Sequence, residues 1–219
     1  MARAVLWDLD GTLADSREYH WRAWRETMAK AGVVVTEAQF LASFGQRNDA
    51  ILPAWMGPAV TPDEMRRAGD EKEALYRRLI ARDGLLPLPG AADWVRRLHD
   101  AGWRQAIASS APRLNVQVMA HVLGVAGWMA ALVGAEDVHA GKPDPEVFLV
   151  AAAALGVPPE RCVVVEDAAA GIEAARRAGM ACIGVGASAA HGAHLSVTSL
   201  DQLPADAFSR LMAPDVTWP

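Results

Sequence analysis

The chain has little cysteine, no long apolar run and no concentration of positive charge, and each absence removes a class of protein. Only two cysteines, Cys162 and Cys182, occur in 219 residues. They stand singly in the apolar runs RCVVVED and MACIGVG, with no CxxC pair. A disulfide framework or thiolate metal centre is built on paired spacings, so both are expected as reduced thiols in the core. No stretch reaches the ~18 uninterrupted apolar residues of a membrane span, and MARAVLWDLDG shows no apolar leader before a cleavage site. A soluble, cytoplasmic protein is expected, with no membrane partner. Lysine and arginine form no basic patch and the net charge is −5, so nucleic acid is not an expected partner either. Internal repeats are absent, as are low-complexity tracts beyond the Ala-rich helices.

What is present is a globular balance, 52% apolar and 21% charged, long enough for one large domain or two unequal ones. Val5, Leu6 and Trp7 begin a buried strand, predicted over Ala4 to Leu9. From about Asp15 to Asp83 the pattern is helical. Ser16 is placed to cap SREYHWRAWRETMAKAG, Gly32 to stop it, and Thr36 to start TEAQFLASFG. Thr61-Pro62-Asp63-Glu64 opens a further, charged helix with a capping Thr, Pro at N1 and Glu at N3. After the Pro-rich LLPLPG, strands and helices alternate: WRQAIASS, MAALVG, RCVVVED, ACIGVG and LSVTS read as strands. AADWVRRLHDAG, PRLNVQVMAHVLG, DPEVFLVAAAALG, GIEAARRAGM and DQLPADAFSRLM read as helices. Such alternation predicts an α/β fold, a Rossmann-like parallel sheet with helices on both faces. Residues 1–14 and 84–219 would form that core, and residues 15–83 a small α-helical cap inserted over the sheet's carboxyl edge.

Ligands of open α/β sheets bind outside the carboxyl ends of the strands, so the polar residues ending each predicted strand form the candidate site. They are Asp8, Asp10, Gly11 and Thr12 after the first strand, Ser109 and Ser110 after WRQAIA, and Glu166 and Asp167 after CVVV. Lys142 precedes the DPEVF helix. Taken singly, each is also an ordinary turn, strand end or loop lysine; their joint order along one sheet edge is what sets them apart. Four acids, hydroxyls and a lysine suit phosphoryl transfer. All-oxygen donors suit Mg²⁺. Asp8 and Asp10 are two apart, so along an extended strand they share a side, where one can attack phosphorus while the other moves a proton. A serine can hydrogen-bond a phosphoryl oxygen, a lysine supplies a compact positive charge, and Gly11 allows a tight turn with backbone N–H groups facing the phosphate.

The motifs WDLDGTLADS, AIASS, GKPDPEVF and VVVEDAAAGIEAARRAGM, in this order, resemble those of the haloacid dehalogenase-like hydrolase superfamily. EYHWRAW and FGQRND resemble its β-phosphoglucomutase and phosphoglycolate phosphatase branch. The resemblance implies that Asp8 is the nucleophile, forming an aspartyl-phosphate, and Asp10 the general acid/base. It implies that Ser109 and Lys142 bind the phosphoryl group. Mg²⁺ would then be held by Asp8, the Asp10 backbone carbonyl and Asp167, with Glu166 ligating directly or through water. Asp10 argues against true dehalogenase chemistry, which has no alkoxide to protonate. Substrate choice falls to the cap: His20 near the catalytic turn, Arg47 and Asn48 after Gly45, with Arg47 placed to clamp a second phosphate or a sugar hydroxyl, and Arg78 on the last cap helix. His191 and His194 in AAHGAHLS lack companion ligands and are not expected to hold metal. Thr12, where sugar mutases often have an aliphatic residue, favours a phosphatase acting on a small phosphorylated metabolite, a sugar phosphate. A β-phosphoglucomutase-like phosphotransferase and a non-catalytic ligand-binding protein on the same fold are the alternatives.

Overall fold

A computed structural model describes residues 2–186, 192–213 and 217–218 of the chain. Four consecutive apolar residues with no polar face form the buried strand β1 (Ala4–Trp7), as expected of a strand covered on both sides. It pairs in parallel with β2 (Arg104–Ala108) and β4 (Cys162–Glu166). With β3 (Ala131–Val133), β5 (Ala181–Val185) and β6 (Leu195–Val197), these make a parallel sheet in the order β3-β2-β1-β4-β5-β6. The fold is Rossmann-like α/β, and the strand order reverses at β1, which places a crevice between β1 and β4.

Between β1 and β2 run α1 (Arg17–Lys30), α2 (Glu37–Ser43), α3 (Asn48–Met56), α4 (Pro62–Asp83) and α5 (Ala91–Asp100). Thr36 and Thr61 each close a capping box, with Gln39 and Glu64. Ser16 stands at the N-cap of α1 but caps nothing; its hydroxyl donates to Asp10 Oδ1 instead. Trp24, Met28, Phe40, Ile51, Leu52 and Ala68 form a core of these helices' own. The second half of α4 differs, because Leu75, Tyr76, Leu79 and Ile80 join the cluster on the sheet.

Alternating side chains on the strands serve two faces. Val5, Trp7 and Ile107 pack under α5 and α6 (Arg113–Val122). Leu6, Ala106 and Val164 pack under α7 (Glu146–Leu155) and α8 (Ala169–Arg177). Both cysteines are buried and free within the second face. The helix predicted over DQLPADAFSRLM is a 3₁₀ turn at Leu200–Gln202 followed by α9 (Ala207–Arg210). Pro204 divides them, holding Leu203 extended. No helix among the described residues is long and apolar enough to cross a membrane.

Candidate active site

Register builds the site. Trp7 lies level with Ile107 in β2 and Val165 in β4, so the next step up brings Asp8, Ala108 and Glu166 side by side, with Ser109 and Asp167 one further. The Asp8 amide extends the ladder by donating to Val165 O at 2.9 Å. Lys142 reaches in from the loop before α7, its Nζ 2.5 Å from Asp8 Oδ1 and 2.7 Å from Glu166 Oε2.

Asp8, Glu166 and Asp167 each offer a carboxylate oxygen within 4.8 Å of the others. Burial pushes the Asp8 pKa well above its ordinary value and Glu166 adds repulsion, which Lys142 offsets in part. Burial and then Glu166 raise Asp167 to about 7. Lys142 is held protonated: burial works against its charge, but Asp8 and Glu166 outweigh burial and raise its pKa. Two buried acids, a half-buried third and one lysine leave an excess of negative charge at this edge, and an all-oxygen set of this kind fits a hard divalent cation. Glu166 has other duties, since its Oε1 accepts the Asp167 and Ala168 amides at 3.1 and 3.0 Å.

Two glycines admit the acids. Gly11 has φ +96°, and a Cβ there would lie 2.2 Å from Asp167 Oδ2. Gly171 in α8 leaves room for Glu166, whose Oε2 would be 1.9 Å from a Cβ at 171.

Asp10 is held by one oxygen only. Ser16 Oγ, His20 Nε2 (3.3 Å) and Tyr76 OH (3.3 Å) all converge on Oδ1, and Oδ2 carries no hydrogen bond from the described residues. Burial pushes the carboxyl up, but His20, Ser16 and the Lys72 charge bring its pKa below the ordinary value. Behind it, Lys72 Nζ donates to His20 Nδ1 and to Glu73 Oε1, both at 2.8 Å. Glu73 also accepts Asn48 Nδ2 at 2.8 Å and, from α6, Asn115 Nδ2 at 2.5 Å.

A cavity of about 1020 Å³ lies between α1–α4 and this sheet edge. Of the expected site residues, Asp8, Asp10, His20, Arg47, Asn48, Ser109, Ser110, Lys142, Glu166 and Asp167 line it. Ser109 Oγ accepts the Ala111 amide at 3.1 Å, which leaves its proton to donate. The structure does not bring in Thr12, whose side chain is fully buried with an unpartnered hydroxyl, nor Arg78, which is exposed. Helical phase explains Arg78: its neighbour Arg77 shares the inward stripe of Gly69 and Glu73. Gly11 touches Asp167 from the other side, in a smaller cavity of about 340 Å³. His194 accepts the Cys182 amide at 3.1 Å and packs on Trp218; His191 lies outside the described residues. Lys72, Glu73, Tyr76, Asn115 and Gly171 were missed by sequence reasoning. The signal was the pair of i, i+4 steps Lys72–Tyr76 and Glu73–Arg77, polar residues recurring at core spacing on one helix.

Comparison with known proteins gives the class. Residues 2–179 match the haloacid dehalogenase-like hydrolase family, and the chain belongs to that family of hydrolases. Fructose-1-phosphate phosphatase YqaB of Escherichia coli is 33% identical over 188 residues, covering 83% of this chain and 95% of that one. Protein SUPPRESSOR OF QUENCHING 1 of Arabidopsis thaliana is 34% identical over 189 residues, 83% of this chain but only 18% of that much longer protein. Among solved structures, β-phosphoglucomutase (pgmB) from Clostridium difficile superposes with a TM-score of 0.86 at 27% identity, covering 97% of both chains.

Proposed function

We propose that the chain is a Mg²⁺-dependent phosphatase acting on a small phosphorylated sugar through an aspartyl-phosphate on Asp8. The observation that carries this is the Asp8–Lys142–Glu166 ion cluster beside Asp167, with a second acid, Asp10, two residues along. Asp8 Oδ1 attacks phosphorus, Lys142 holds the carboxylate and a phosphoryl oxygen, and Ser109 donates to another. Asp10, clamped through Oδ1, uses Oδ2 to protonate the leaving oxygen and then to activate the hydrolytic water. Asp8, Asp167, the Asp10 carbonyl and Glu166 would hold Mg²⁺, which supplies charge stabilisation to the phosphoryl oxygens. Residues 15–83 act as the lid, their closure marked by the ties of Glu73 and Arg77 to Asn115 and of Arg47 to the Ala135 carbonyl.

The similarity to a fructose-1-phosphate phosphatase supports hydrolysis. The likeness to a β-phosphoglucomutase makes a phosphotransferase the second reading, and the burial of Thr12 away from the cavity removes its side chain as an argument between them. Release of inorganic phosphate from p-nitrophenyl phosphate and a sugar-phosphate panel, dependent on Mg²⁺ and abolished in Asp8→Asn, is the expected result. Conversion of β-glucose 1-phosphate to glucose 6-phosphate without phosphate release would establish the mutase instead. Binding of phosphate esters without any turnover would establish the non-catalytic reading.

A further inference from the structure

The cavity holds more positive charge than the phosphoryl site uses. Among the described residues, five lysines and arginines line it, namely Arg47, Arg66, Lys72, Arg77 and Lys142. Four are ion-paired: Arg47 with Asp49, Arg66 with Asp63, Lys72 with Glu73, and Lys142 with Asp8 and Glu166. Arg77 has no carboxylate within 4.0 Å among the described residues. Its guanidinium is held in place by one hydrogen bond, from Nη1 to Asn115 Oδ1 at 2.7 Å, which uses one of five N–H donors. Asn115 is fully buried, and Glu73 fixes its amide orientation by accepting from Nδ2. The guanidinium is therefore positioned beside the first turn of α6, on the cavity flank that carries Ser110 and Leu114, whereas Lys142 sits at the sheet edge with Asp8. Arg47, the expected clamp for a second group, is engaged: Nε and Nη2 go to Asp49 and Nη1 to Ala135 O. A guanidinium anchored by one hydrogen bond, with no carboxylate partner and on the wall of a large cavity, suits an oxyanion, which it can hold bidentately.

We propose that Arg77 is a specificity-determining residue that binds a second oxyanion of the substrate, a phosphate or a carboxylate, distinct from the phosphoryl group at Asp8. The inference rests on the phosphatase reading for the identity of the first group. It selects phosphate monoesters whose body carries another anion over those with a neutral body.

The test is direct binding by calorimetry in Asp8→Asn with Mg²⁺, which blocks turnover, using glucose 6-phosphate, glucose 1,6-bisphosphate and 6-phosphogluconate. One of the last two is expected to bind roughly 10- to 100-fold tighter than glucose 6-phosphate, and which one does so identifies the oxyanion. Adding Arg77→Gln should erase that preference, and Arg77→Lys should retain part of it. Equal weakening of all three ligands in Arg77→Gln would show a merely structural tie to Asn115 and overturn the proposal. So would a preference that survives Arg77→Gln, or no preference in the Arg77 protein. An Arg77-dependent preference in a chain that releases phosphate from no ester would instead reject the phosphatase reading and keep this one.

Discussion

At the residue scale, the site depends as much on atoms that are missing as on those that react. Gly11 is required twice, by its φ of +96° and by Asp167 lying where a Cβ would go. Gly11→Ala is expected to raise the Mg²⁺ concentration for half-maximal activity roughly 10- to 100-fold, the cost typical of a displaced ligand support; titrating activity with Mg²⁺ checks it, and an unchanged half-saturation would refute Asp167 as a ligand. Asp10 separates differently. Its side chain is proposed to move protons and only its carbonyl to meet the metal, so Asp10→Asn should lower kcat by about 10²- to 10⁴-fold with the Mg²⁺ half-saturation nearly constant. Turnover equal to the unsubstituted protein would remove its acid/base role. The convergence of Asp8, Ser109, Glu166 and Asp167 on one sheet edge was legible in the sequence, because a strand end fixes position along the chain and in space together. Arg78 was not a sound choice for the opposite reason: one residue on a helix is 100° of rotation, and the inward stripe belongs to Arg77.

At the scale of elements, α4 is where pattern alone was least informative. PDEMRRAGDEKEALYRRLIARD reads as a charged helix solvated on one side, and nothing in the pattern marks Lys72 and Glu73 as the charges that are buried in it. Burial lowers the Lys72 pKa while Glu73 opposes that shift. Burial likewise pushes Glu73 up, but the Lys72 charge prevails and holds it below its ordinary value. Their partners come from α1, α3 and α6, elements far apart in sequence, so nothing local announces the pair. Removing one member strands the other charge. Lys72→Met is expected to cost about 3 kcal/mol of stability by urea unfolding, the low end of the usual range because Asn48 and Asn115 still serve Glu73. Adding Glu73→Gln should recover more than half of the loss. A single variant as stable as the parent would mean that the pair is hydrated and not a buried ion pair. The capping box at Thr61, by contrast, was readable four residues at a time, whereas Thr36 read only as a helix start and its box with Gln39 came from the structure.

At the scale of the whole molecule, alternation of strands and helices was sufficient to give the parallel sheet, and the crevice followed from its topology. The composition break at Gly84 marks no clean packing boundary, because the end of α4 packs into the sheet's own cluster. Folding this sheet also forces Asp8, Glu166 and Asp167 together, so stability depends on pH and, with the proposed Mg²⁺ site, is expected to depend on metal. Asp167 has a folded-state pKa of about 7, raised by burial and Glu166. A raised carboxylate destabilises the fold in its charged form: the penalty is absent below the unfolded value of about 4, grows as pH rises, and is complete above about 7. Metal-free protein should therefore lose stability across that window. Mg²⁺ binds only the deprotonated acids, so it should compete with protons at low pH and act fully above neutrality. At about 100 times its Kd, Mg²⁺ contributes about 2.7 kcal/mol, a rise in Tm of roughly 5 to 10 °C for a chain of this size. That rise is expected near pH 8 and largely lost near about pH 5, read by calorimetry against an EDTA control. An equal rise at both would mean that the cation binds elsewhere, away from the three acids that the sheet brings together.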